Sequence, residues 1–104
     1  MAWLYLGLAA IFEIIFAVSM KASDGFTKPL ASIITVVGVL GGIFFLTMAM
    51  KTIPVSLAYP IWTAVGALGT VIFGFLVFGE GLNAIKIFGL IAILAGIASL
   101  RAAA

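Results

Sequence analysis

One acidic side chain stands in the middle of an apolar stretch near the start of the chain. It is Glu13, within the segment AAIFEIIFAVSM that covers residues 9–20. A carboxyl group is neutral when protonated and holds a cation when deprotonated. The chemistry open to Glu13 is therefore the binding of either a proton or a cation at one site.

A second group of chemically capable residues lies in the segment PVSLAYPIWTAVGALG. Helical spacing places Ser56, Tyr59 and Thr63 on one stripe, with Trp62 three residues after Tyr59. Tyr and Trp supply an O–H and an N–H donor for a carboxylate and aromatic faces for a cation. The alternative is an interfacial belt, in which Tyr and Trp anchor a helix at the level of the lipid headgroups.

The composition shows where these residues must work. Of the 104 residues, 66% are hydrophobic and only 8% are charged, whereas a soluble domain carries about 25% charged residues. A bilayer core needs about 20 apolar residues per helix, and the chain supplies four such runs. We predict an all-α integral membrane protein with one four-helix transmembrane domain over residues 1–104. The predicted helices cover about residues 3–20, 30–50, 55–79 and 82–100.

The charges at the ends of these runs are nearly balanced between the two sides of the membrane. Four helices with short loops alternate in direction, so both termini lie on the same side of the membrane. Lys51 and Arg101 are on that side, and Lys21, Lys28 and Lys86 are on the other. Because the Lys/Arg bias of short loops sets orientation, we infer that the chain inserts both ways. Two opposed copies then pair as an antiparallel, dual-topology homodimer, the counterpart of inverted repeats within transporters.

Several function classes are excluded by what the chain lacks. With no Cys and no His, disulfides, the common zinc sites and Ser-His or Cys-His nucleophiles are ruled out. The basic residues are scattered, which argues against nucleic acid as a partner. An isolated carboxyl without a base, nucleophile or metal partner does not make an active site, so we expect no enzyme, cofactor or metal.

The first predicted helix can carry Glu13 into the membrane. A central acid costs about 2.5 to 3.5 kcal/mol, and each Leu, Ile, Phe or Val returns about 0.3 to 0.6. The nine such residues between Leu4 and Val18 offset it. Intramembrane acids usually mark ion or substrate pathways, so we favour proton and cation binding, which is the minimum chemistry for antiport. The alternative is a protonated Glu13 that bonds a neighbouring helix as structural glue.

Glycine, proline and alanine shape the two last helices. Pro60, with Gly66 and Gly69, weakens the third helix, which suits either a moving gate or close packing against a neighbour. In GLIAILAGIA, small residues recur on one face of the fourth helix. We expect this face to be the dimer seam, made of Gly89, Ala92 and Gly96.

Motifs along essentially the whole chain resemble the small multidrug resistance family. They are FE and MK in the first helix, SDGFTK, IPVSLAYPIW, FGE, and GLIAILAGIA in the fourth helix. The resemblance implies antiparallel, dual-topology homodimers that exchange protons for organic cations across bacterial inner membranes. It also implies that Glu13 is the proton- and substrate-binding carboxylate, that Tyr59 and Trp62 are binding-site aromatics, and that the fourth helix carries the dimerisation seam.

The segment WTAVGALG is similar to the guanidinium-exporter branch of that family, but the pocket departs from it. Phe16 stands where that branch commonly has Trp and the multidrug branch has Gly. Gly42 lacks a usual hydroxyl and Pro60 replaces Ala, while Ser56 and Leu57 replace Gly and Thr. With fewer donors around the carboxylate, we expect substituted guanidinium or quaternary ammonium compounds to be accepted beside guanidinium. The alternative is a polyspecific multidrug exporter of quaternary ammonium compounds.

Two other interpretations stay open from the sequence. One is a non-transporting membrane subunit in which Glu13 is structural glue. The other is half of an obligate heterodimer, against which the nearly balanced loop charges speak, since such partners usually carry opposed biases.

Overall fold

The computed structural model describes residues 1–103, which form four α-helices joined by short connections. The helices are α1 (Ala2–Ala22), α2 (Pro29–Ala49), α3 (Val55–Phe78) and α4 (Ala84–Ala102). Each is long and apolar enough to cross a membrane, and residues 1–103 contain no strand. The prediction of an all-α chain with four membrane-spanning helices is confirmed.

The helix ends lie at residues whose backbone or side chain favours starting or ending a helix. Pro29 occupies the first turn of α2, where its missing N–H has no intrahelical partner to lose. At the end of α3, Gly79 adopts the left-handed conformation with φ 68°, which glycine tolerates best. The Asn83 side chain accepts a 2.9 Å hydrogen bond from the Lys86 N–H. This cap explains why α4 begins at Ala84, two residues later than predicted.

The helices pack in the order α2, α1, α3, α4. Helix α1 contacts α2 along its length and also contacts α3, whereas α4 packs mainly on α3 and places Arg101 over the Trp3 ring of α1. Three fully buried alanines, Ala9, Ala49 and Ala58, allow the backbones to approach closely. They belong to a core completed by Leu6, Leu46, Ile53 and Ile61.

Aromatic side chains of α1 lie against glycines of α2. A Cβ added at Gly38 would stand 2.9 Å from the Phe16 Cβ and 3.3 Å from the Phe16 backbone nitrogen, and neither atom can move without moving α1. At Gly42 the nearest atoms would be 3.5 to 3.8 Å away, in ordinary contact. The approach of α1 to α2 therefore depends on Gly38 more than on Gly42.

This difference gives a prediction about stability. We expect Gly38→Ala to destabilise the folded subunit by about 1 to 3 kcal/mol, since overpacking forces the two helices apart. The matched variant Gly42→Ala should unfold like the wild type. Unfolding of the purified protein in mixed micelles by increasing denaturing detergent measures both. Equal midpoints for the two variants would contradict the packing described here.

Taken together, the four helices form a thin slab. The Cα atoms span 41 × 34 × 17 Å, and no residue of α4 is buried. The folded chain is therefore flattened, with α4 at its edge.

Candidate functional site

Glu13 lies at the middle of α1 on the side that faces α3. Its carboxyl group contacts Gly66, and a Cβ added at Gly66 would overlap that group. The residue is half-buried, and within residues 1–103 its buried Oε2 has no hydrogen-bond partner. Buried oxygens are nearly always paired, so this one is available to a proton or to a ligand that donates hydrogen bonds.

Gly66 is a site residue that the sequence identified for a different reason. Its place in the sequence suggested a gate or a packing position, and the structure brings it against the Glu13 carboxyl. Gly69, one turn further on, lies against the Ile14 side chain in the same way. Both glycines therefore serve close packing of α3 on α1 in this subunit.

Trp62 lies one turn before Gly66 and is level with Ala9 on α1. Its indole Nε1 donates a 3.0 Å hydrogen bond to the Ala9 carbonyl. The sequence suggested the carboxylate as a possible acceptor, but the Glu13 side chain lies at the level of Gly66, one turn away. The Trp62 ring also meets the Tyr59 ring edge to face, with centroids 5.3 Å apart. Trp62 thus fixes the register of α1 on α3 beside the carboxyl group.

We expect Trp62→Phe to lower the free energy of unfolding by about 0.5 to 1.5 kcal/mol, because the ring remains while the hydrogen bond is lost. Trp3→Phe makes the same change of ring elsewhere on the protein and serves as the control. Unfolding by denaturing detergent compares the two variants. An unfolding midpoint unchanged from the wild type in Trp62→Phe would contradict the assigned role of the Trp62 N–H.

Four further site candidates on α3 point away from the core. Tyr59 is 53% exposed, and Ser56, Pro60 and Thr63 are also exposed. The Thr63 hydroxyl donates to the Tyr59 carbonyl at 2.9 Å, and α3 runs unbroken through Pro60. This stripe forms an outer face of the subunit beside Trp62.

Phe16 of α1 lies next to Gly42 of α2. A Cβ at Gly42 would contact the Phe16 ring at 3.8 Å, the Phe12 Cβ at 3.5 Å and the Ala9 carbonyl at 3.7 Å. The structure therefore brings Phe16 and Gly42 together with each other, whereas the neighbour of the Glu13 carboxyl is Gly66 on α3.

The predicted dimer seam lies away from this site on α4. Added Cβ atoms at Gly89 and Gly96 would meet no atom of the described residues within 4 Å, and Ala92 is exposed. These residues are free to contact another molecule, and in the subunit they do not approach Glu13.

Two cavities flank the contact between Glu13 and Gly66 along the α1–α3 interface. One cavity, of about 190 Å³, is lined by Ala10, one turn before Glu13 on α1, and by Trp62, one turn before Gly66 on α3. The other cavity, of about 170 Å³, is lined by Ala17, one turn after Glu13, and by Thr70, one turn after Gly66. The carboxyl group thus lies between two open spaces that lead toward opposite ends of the helices.

Four apolar helices with a carboxyl group between two of them define a multi-pass membrane protein. The sequence model of the family described as "Small Multidrug Resistance protein" matches residues 1–93. A "Guanidinium exporter" of Yersinia pseudotuberculosis is 43% identical over 103 residues, covering 99% of both chains. One of Citrobacter freundii is 39% identical over 101 residues, covering 97% of this chain and 96% of the relative.

A Bacillus subtilis relative, "Uncharacterized membrane protein YvaE", is 41% identical over 101 residues, which are 97% of this chain and 85% of the relative. The chain therefore belongs to the small multidrug resistance family. This confirms the family resemblance and the assignment to a multi-pass bacterial membrane protein, and the names of the relatives support the guanidinium-exporter branch.

Proposed function

We propose that this protein exports small organic cations of the guanidinium type in exchange for protons, with Glu13 as the shared binding group. The observation that carries the proposal is the Glu13 carboxyl, held in mid-helix against Gly66 with a buried and unpartnered Oε2. The names of the relatives, which are guanidinium exporters, support the same class of substrate.

The exchange follows from the chemistry of a single carboxyl. Deprotonated Glu13 accepts charge-assisted hydrogen bonds from a guanidinium ion, whose planar donors suit two carboxylate oxygens. Protonated Glu13 is neutral and no longer attracts the cation. The proton and the cation therefore compete for the same carboxyl, and binding of one displaces the other. No bond of the cation is made or broken, so the protein acts as a carrier and not as an enzyme.

We place this site in an antiparallel, dual-topology homodimer in the bacterial inner membrane, each subunit a single four-helix domain. A slab 17 Å thick leaves the α1–α3 face without an enclosing wall, which a second copy supplies. The outward glycines of α4, Gly89 and Gly96, offer the contact that small residues form between membrane helices. The two subunits then exchange roles, and access to the paired Glu13 residues alternates.

The interpretation of Glu13 as structural glue fits the subunit less well. A residue that joins two helices by hydrogen bonding needs a partner on the neighbouring helix. The facing residue is Gly66, which has no side chain, and within residues 1–103 Oε2 is unpaired.

For the range of substrates, we propose that substituted guanidinium and quaternary ammonium ions are carried beside guanidinium. Gly42 gives the α2 side no hydroxyl, and the Cβ of a serine there would make only ordinary contacts. We expect wild-type protein in solid-supported membranes to give currents with guanidinium, phenylguanidinium and tetraethylammonium. Gly42→Ser should lower the currents of the two larger cations relative to guanidinium, and Gly42→Ala should leave the ratio unchanged.

Currents from guanidinium alone in the wild type would overturn the proposed breadth and leave a selective guanidinium exporter. Currents from none of the three cations, with correctly folded protein in the membrane, would overturn the export function itself.

A further inference from the structure

A second cation-binding arrangement lies at the end of α1 that is distant from the termini. There the Lys21 ammonium is paired with the Glu80 carboxylate. The same ammonium lies over the Phe78 ring, 5.2 Å from its centroid. A carboxylate beside an aromatic face is the combination that recognises organic cations. In this structure a side chain of the protein itself fills that combination.

The backbone after α3 builds this arrangement. Because Gly79 is left-handed with φ 68°, the chain turns back and the Glu80 N–H donates to the Gly74 carbonyl at 3.2 Å. The Glu80 side chain then lies beside Gly74, where an added Cβ would stand 2.6 Å from Oε1. The absence of a side chain at Gly74 therefore makes room for the carboxylate.

The arrangement opens toward Glu13. Lys21, Phe78 and Glu80 line the cavity of about 170 Å³ whose other walls include Ala17 and Thr70. Ala17 is one turn from Glu13, and the Thr70 hydroxyl donates at 2.7 Å to the carbonyl of Gly66, the residue that contacts the Glu13 carboxyl. The cavity thus joins the exposed ion pair to the neighbourhood of the central site.

We propose that Glu80 and Phe78 form an outer cation-binding site, that the Lys21 ammonium occupies it when no substrate is present, and that a guanidinium or alkylammonium ion displaces Lys21 there before it reaches Glu13. The substrate class rests on the proposed function. Exposed ion pairs contribute little because water screens them, and the side chains of Lys21 and Glu80 are 57% and 45% exposed. Substrate can therefore replace Lys21 without a large penalty.

The charge state of Glu80 suits this role. The hydrogen bond and charge of Lys21, with a smaller effect of Lys86, lower the pKa of Glu80 below its ordinary value. The carboxylate thus stays ionised at neutral pH, and it remains so when a substrate cation takes the place of Lys21. The Lys86 ammonium is itself held by the Gly81 carbonyl at 2.6 Å.

The test is an NMR titration of the full-length protein in bicelles, with the Glu13→Gln substitution in every sample to remove the central carboxylate. Guanidinium chloride is the probe, with ionic strength held constant by NaCl, and the amide signals of residues 78–81 report on the outer site. Adding Lys21→Gln removes the competing ammonium. We expect it to lower the guanidinium midpoint at these amides by at least about threefold, the scale of an exposed ion pair.

Three further variants make the result specific. Lys28→Gln removes one positive charge from the connection between α1 and α2, on the same side of the membrane, and should leave the guanidinium midpoint unchanged. Glu80→Gln, added to Lys21→Gln, should abolish saturable shifts at residues 78–81. Gly74→Ala, added to Lys21→Gln, keeps every charge but displaces the Glu80 carboxylate, and should raise the midpoint.

The proposal is overturned if Lys21→Gln leaves the midpoint unchanged, if Lys28→Gln lowers it equally, or if saturable shifts persist after Glu80→Gln. Because all samples lack the Glu13 carboxylate, these outcomes do not depend on export. Failure of the proposed function would instead be seen as missing exchange currents in the wild-type protein.

Discussion

Proteoliposomes that contain Glu13→Gln protein are expected to give no cation-driven exchange current, while wild-type protein gives currents with guanidinium. Glutamine keeps the size of the side chain and its capacity for hydrogen bonds but can neither bind a proton nor carry a negative charge. Within the described residues, the Glu13 carboxyl is packed against Gly66 with one oxygen unpaired, so the loss falls on ion binding and not on an internal bond. Solid-supported membrane electrophysiology with a guanidinium step measures the loss.

The control for this prediction is Asp24→Asn, which removes an acid from the exposed first connection and should leave the currents unchanged. Size-exclusion chromatography in detergent should show the same oligomer for the wild type and for Glu13→Gln. Exchange that survives Glu13→Gln would remove Glu13 from the mechanism. Loss of the oligomer together with transport would favour a structural role for the residue.

The second large effect is expected at Gly66, which has no ionisable group of its own. A methyl group at this position would overlap the Glu13 carboxyl, so Gly66→Ala must move either the carboxyl or helix α3. We expect guanidinium affinity to fall by at least about tenfold, equivalent to 1.4 kcal/mol of lost binding. Isothermal titration calorimetry of the purified protein in detergent measures the affinity.

Gly69→Ala is the matched control, one turn along the same helix. There the added methyl meets Cγ1 and Cδ1 of the apolar Ile14 side chain and not the Glu13 carboxyl. Affinity in Gly69→Ala should stay close to that of the wild type. Equal losses of guanidinium affinity in the two variants would mean that any added volume on α3 weakens binding. The contact between Gly66 and Glu13 would then have no specific role.

The helices could be predicted from the sequence because each signal is local. Length and apolar composition set the number of spans, and Pro29, Gly79 and Asn83 mark helix ends through their own backbone or side-chain chemistry. The first connection was harder to predict in detail. Its course depends on Ser23, which is fully buried and bonds the Met20 carbonyl at 2.6 Å.

The site could be predicted only in part, for a physical reason. An isolated acid in an apolar run identifies Glu13, and helical spacing names its neighbours on α1. Which residue of α3 lies opposite depends on the relative register of two helices, which no local pattern records. Gly66 and the bond from Trp62 to the Ala9 carbonyl follow from that register, and so does the placing of Phe16 and Gly42 on the α2 side.

The central claim is that one carboxyl accepts either a proton or a cation, and proton release on binding tests it most directly. Guanidinium binding to wild-type protein would be measured by calorimetry across a pH series, at each pH in two buffers of different ionisation enthalpy, with Glu13→Gln as the reference. We predict that binding weakens as the pH is lowered and that the wild type releases protons as guanidinium binds, whereas the variant releases none. Binding of equal strength at every pH, with no buffer dependence of the heat, would contradict the claim.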